Sequence, residues 1–212
     1  MKRPGAAGRP WQVGLAAAFA CAAGAGQAYV FTLNPAPRAL YLAVGTATIS
    51  GGTLLSGGTP ANNPTVNTVS VSVPVGALGG GAIAMTTNNP TANSLLDNFP
   101  FCAVPAEMYV GGFYRAPGNG GAAATLTVTA PASLSQPTAS LPMSSISWTS
   151  GGAGDATPTI PSGSFVGGGA QSLLLVNANT WFESCLAFTY ANASVVPAGT
   201  YTARVVYTLT AP

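Results

Sequence analysis

Asp97, Glu107, Asp155 and Glu183 are the acidic side chains of this 212-residue sequence, and with no histidine present they are its candidates for acid–base chemistry. Two carboxyls in unlike surroundings are what a glycosidase or an aspartic-type hydrolase requires. The local order argues against that chemistry, because Gly154-Asp155-Ala156-Thr157 lacks the Asp-Thr/Ser-Gly of aspartic proteases. Acids this sparse are expected at turns and strand ends, several paired with Arg38, Arg115 and Arg204. Lys2 is the single lysine, so no His or Lys is placed to activate a Ser or Cys nucleophile or to form a Schiff base. Gly151-Gly152-Ala153-Gly154-Asp155 falls one residue short of a calcium-binding Gly-Gly-x-Gly-x-Asp unit and is not repeated. The glycine clusters carry no phosphate-cradling Gly-x-x-x-x-Gly-Lys. These residues predict a protein that is not an enzyme and has no cofactor and no metal site.

Two chemistries remain. Cys102 and Cys185 lie 83 positions apart and predict one disulfide, the simplest use of two cysteines in an oxidising compartment. Trp148, Trp181, Tyr109 and Tyr114, with Phe113, form a candidate ligand platform, since sugar rings stack their C–H faces on flat aromatic groups. The competing reading places the same residues in the core, the usual location of aromatics within strand-like runs. Asn192-Ala193-Ser194 fits the glycosylation sequon.

The charges locate the chain in the cell. Charged residues make up 5% of the sequence against about 25% in an average domain. Lys2, Arg3 and Arg9 crowd the start, and the apolar run 13–25 ends in Gly26-Gln27-Ala28, a signal-peptidase pattern that predicts cleavage after Ala28. The alternative, lipidation of Cys21, is opposed by bulky Phe19 where such signals carry a small residue. Residues 1–28 are thus expected to be a cleaved signal peptide, 29–38 an extended N-terminal arm interrupted by Pro35 and Pro37, and 39–212 a single domain. Three arginines against four acids beyond residue 28 predict no nucleic-acid partner, because phosphate neutralisation needs many cations. The run 13–25 is too short to span a bilayer, so the protein is not expected to be integral to a membrane. The expected location is the periplasm, cell surface or extracellular space.

The elements that must position these residues are strands. Apolar or alternating runs occur at 39–49, 66–75, 82–86, 108–114, 123–129, 145–149, 171–176, 185–190 and 200–209. Val69, Val71 and Val73 alternate with serines in period two, the pattern of a half-buried strand. Turns rich in Gly, Asn and Pro separate the runs, and no stretch shows a helical period. Residues 87–106 lack alternation and predict a long connection tied down by Cys102. The echo of Asn62-Asn63-Pro64-Thr65 in Asn88-Asn89-Pro90-Thr91 is attributed to biased composition.

Val196-Pro197-Ala198-Gly199-Thr200-Tyr201 and the alternating residues 202–209 resemble the last strand of exported bacterial immunoglobulin-like sandwiches. Chaperone-usher pilins carry a glycine fourteen residues from the end, where Gly199 stands, although Ala211 replaces their penultimate Tyr. WxL cell-wall proteins end similarly, with Trp where Tyr207 stands here. The resemblance implies an all-β, antiparallel immunoglobulin-like β-sandwich, here with roughly nine short strands and Gly/Pro-rich loops. The expected function is that of an exported, non-catalytic structural or surface-assembly protein, self-associating through sheet edges, with residues 29–38 adding to a neighbour's edge. The alternative is a secreted module binding a carbohydrate or another surface ligand.

Overall fold

The computed structural model describes residues 30–118, 121–155 and 157–212. The expected signal peptide, Cys21 and Tyr29 fall outside the described residues. Strands follow as β1 (Val30–Thr32), β2 (Ala39–Val44), β3 (Ile49–Ser50), β4 (Thr59–Pro60), β5 (Val69–Ser70), β6 (Ile83–Ala84), β7 (Thr86–Thr87) and β8 (Glu107–Arg115). The second half adds β9 (Ala124–Ala130), β10 (Ser133–Gln136), β11 (Ala139–Pro142), β12 (Ile146–Gly151), β13 (Gly163–Ser164), β14 (Gly169–Val176), β15 (Thr180–Tyr190) and β16 (Val206–Thr210). All pairings are antiparallel. Among the described residues no sheet closes into a barrel, and no helix is long and apolar enough to cross a membrane.

The first sheet runs β13-β12-β15-β8-β2, with β1 and β6 attached to opposite ends of β15. The second runs β14-β9-β16. Sequence explains the difference between them. Strand β9 alternates Thr125, Thr127 and Thr129 with buried Leu126 and Val128, giving one wet face and one apolar face. Strands β8 and β15 are apolar on both faces, the composition of strands covered from both sides. The inner faces of the two sheets share the main core, where Val110, Tyr114, Phe182 and Leu186 of the first sheet join Leu126, Val128 and Val176 of the second. Each large side chain buried this completely contributes about 1.5–3 kcal/mol.

The other face of the first sheet is covered by residues 47–55 and 92–102, a loop-rich layer organised by side chains more than by ladders, while β6 joins the first sheet itself and Met85 packs in the main core. Asn67 Oδ1 accepts from the Thr46 N–H at 2.7 Å and Asn88 Oδ1 from the Thr68 N–H at 2.8 Å. The sequence echo has a local cause here: Thr65 N–H donates to Asn63 Oδ1 at 3.0 Å and Thr91 N–H to Asn89 Oδ1 at 2.9 Å, the same Asn-Pro turn made twice. Two smaller clusters lie beneath this layer, one around Phe101, Cys102, Tyr109 and Cys185, the other around Leu33, Leu96, Phe113 and Trp181.

Several expectations need correction. The run 66–75 is regular only at Val69–Ser70, because β7 offers it a two-residue partner and Pro74 ends pairing, although Val69, Val71 and Val73 still pack on the main core. The last run is regular only from Val206, since Thr202 is bridged to Ser135 at the β10–β11 hairpin. That hairpin, closed by Pro137-Thr138, is not among the nine expected runs. Residues 30–32 of the expected arm pair with residues 180–182 of the chain's own β15, and Leu33 is buried.

Candidate functional site

Cys102, from the loop layer, and Cys185, from β15, form the disulfide, with Cα atoms 5.4 Å apart. Beside it lies a surface cleft of about 460 Å³ whose lining includes Asn93, Phe101, Cys102, Glu107 and Ala153. The Glu107 carboxylate and both sulfurs lie within 4.8 Å of one another. With the sulfurs joined to each other, this cluster offers a metal ion one carboxylate and no thiolate.

Next to the disulfide on the same face of β15 sits Glu183, fully buried. It faces Gly111 across the β15–β8 ladder. Gly111 is required there: a methyl group at this position would collide with the Tyr109 ring, which arches over it. The Tyr109 hydroxyl thereby reaches Glu183 and donates to Oε2 at 2.5 Å, whereas Oε1 and the Trp181 indole N–H, both buried, make no hydrogen bond of regular geometry, and Trp181 and Ser94 give the carboxyl only weak polar contacts. Burial raises the Glu183 carboxyl above the usual carboxylate range, and the nearby Asp97 charge adds to this; Tyr109, Ser94 and Trp181 pull it partly back. Burial, then the Glu183 charge, push the Tyr109 phenol well above its ordinary value, so it remains a donor.

The other acids hold turns. Asp97 Oδ1 accepts the Phe99 N–H at 2.9 Å, Glu107 Oε2 the Ala103 N–H at 2.7 Å, and Asp155 Oδ1 the Thr157 N–H at 3.0 Å. The expectation of several Asp or Glu pairs with arginine finds a different use for two of the arginines: Arg38 donates to the Pro212 carbonyl at 2.7 Å and Arg115 lies 5.2 Å from the Phe113 ring centroid.

The candidate ligand platform is corrected by burial. Trp148, Trp181, Tyr109 and Tyr114 are each at most 4% exposed and are divided among three clusters. Trp148 packs on Phe165 and donates its indole N–H to the Pro161 carbonyl at 2.9 Å, while Trp181 packs against Tyr41 and Phe113. The layer of residues 47–55 and 92–102 covers the outer face of the first sheet, which removes Trp181 and Tyr109 from solvent. What sequence reasoning missed is the Glu183–Tyr109 pair, whose one visible signal is an acid inside the apolar run Trp181-Phe182-Glu183-Ser184-Cys185.

The sequon asparagine is structural as well. Asn192 has φ 42° and is buried; its Nδ2 donates to the carbonyls of Ala77 at 2.7 Å and Gly81 at 3.1 Å, and its Oδ1 accepts from the Gly79 N–H at 3.1 Å. An attached sugar has no room there. Asn192→Ala is expected to lower stability by about 2–3 kcal/mol, through orphaned backbone groups and a positive φ that alanine disfavours. Urea unfolding checks this; a loss below about 0.5 kcal/mol would contradict it. Comparison of the chain with protein-family models, with curated proteins and with solved structures gives no match.

Proposed function

We propose that the protein is an exported, non-catalytic structural subunit that assembles with further copies of itself along open sheet edges. In this reading the two layers form an immunoglobulin-like sandwich of the kind that the C-terminal strand resembles in pilins and WxL proteins. One observation carries the reading: β2 ends the first sheet, β16 ends the second, the two strands are neighbours on one flank, and neither contains a charged residue or a bulge. Edge strands ordinarily carry lysines, prolines or bulges that prevent pairing with another chain. The opposite edge, β14, is partly protected, because its register shifts between Ser172 and Leu174. Near-neutral net charge also removes colloidal repulsion between copies. The disulfide fits an oxidising compartment. A carbohydrate-binding module, the other function expected from the sequence, loses its aromatic residues to the core.

The test is to charge this flank. Leu40 near the start of β2 and Thr208 at the middle of β16 are exposed, so Leu40→Lys with Thr208→Lys is expected to leave stability within about 1 kcal/mol of wild type. The doubly substituted protein is expected to stay monomeric at concentrations where the parent assembles, as read by sedimentation velocity. Assembly unchanged by the two lysines would refute the edge reading.

A further inference from the structure

Glu183 sits at the seam between the first sheet and the loop layer. From its own strand it is accompanied by Trp181 and the disulfide at Cys185, from β8 by the Tyr109 hydroxyl, from β2 by Tyr41, and from the loop layer by Ser94 and Asp97. No cation is among these neighbours, and Asp97 and the two phenols are the titratable groups. A carboxylate without a counter-ion and without solvent contact, held by one well-formed hydrogen bond, is costly to ionise. The neutral acid suits the same space and still accepts from Tyr109.

We propose that Glu183 is a proton-dependent latch, holding residues 47–55 and 92–102 onto the first sheet when neutral and loosening that layer when ionised. The sign follows from linkage. The folded protein holds the Glu183 proton more tightly than the unfolded chain, so the stabilisation is complete below the unfolded value of about 4.3. It is lost as pH rises through the folded value, which lies higher. An acid stabilised by an ion pair does the reverse. The subunit is therefore firmest in mild acid, and its outer layer opens first toward neutral pH.

The experiment uses the oxidised chain 29–212 and its Glu183→Gln variant, which keeps an acceptor for Tyr109 and cannot ionise. Unfolding midpoints are recorded from about pH 4 to 8, with amide exchange resolved along the chain. The parent midpoint is expected to fall as pH rises, by about 4 °C for each tenfold loss in the folding constant. Exchange is expected to accelerate first in residues 47–55 and 92–102. The Gln variant is expected to lose this slope and match or exceed the parent's acid midpoint at pH 8. A variant that keeps the parent's slope, or acceleration spread evenly over both sheets, would overturn the latch. Should the variant not fold, infrared spectroscopy of the parent decides: one neutral carboxyl band that outlasts the others as pH rises is expected, and loss of all such bands together overturns the proposal.

Discussion

Truncating Trp181 to alanine is expected to cost about 3–5 kcal/mol, the largest effect of any single side chain here. The indole is fully buried, with Leu33 and Leu96 above it and Phe113 beside it, and its ring centroid lies 6.3 Å from that of Tyr41. It therefore joins the arm, the loop layer and the first sheet in one cluster, and its removal leaves a cavity those three elements cannot close together. Trp181→Phe is expected to cost less, since it fills part of the volume and removes a buried indole N–H that makes no hydrogen bond of regular geometry. Guanidinium unfolding is the check, with the midpoint falling and the slope unchanged. A ligand-stacking tryptophan would behave oppositely, losing binding while stability stayed intact.

Replacing Cys102 and Cys185 together by serine is expected to cost a similar amount by a different route. The cross-link spans 83 residues, and chain-entropy arithmetic for a loop of that size gives about 4–5 kcal/mol. The serine hydroxyls add to the loss at position 185, which is fully buried. Against a typical total of about 5–15 kcal/mol, this removes a large share of the stability. The bond also ties the loop layer to β15, so residues 47–55 and 92–102 are expected to exchange their amides fastest in the serine protein. A double variant within about 1 kcal/mol of the parent would show that the layer is held by Phe101, Leu96 and their contacts alone.

Legibility in the sequence followed burial more closely than hydrogen bonding. Strands β8, β9, β12 and β14 stand close to their expected positions because apolar residues either alternate or run continuously there. Strand β15 was visible only in its second half, since Glu183 and Ser184 interrupt the apolar run although both are buried. The alternating valines at 69, 71 and 73 correctly indicated a half-buried segment, yet alternation reports which face is covered and not whether a partner strand exists. The β10–β11 hairpin was hidden because Leu134 and Leu141 are the large apolar residues of its two short strands, one in each.

The disulfide was legible from two cysteines. The fate of the aromatics was not, because a core tryptophan and a ligand-stacking one are the same residue until the covering layer is known. That layer is written in Gly, Pro and Asn, which read as turns and hide that it forms a lid. The Glu183–Tyr109 pair depends on a glycine opposite the acid in a strand more than 70 positions away, a relation set by register alone.

Assembly through the β2 and β16 flank is the central claim, and light scattering of the oxidised chain 29–212 across a range of concentrations tests it most directly. The account predicts masses that rise with concentration as whole-number multiples of one chain, and a single-chain mass throughout for the Leu40→Lys, Thr208→Lys protein. A parent chain that stays monomeric at every concentration would contradict it.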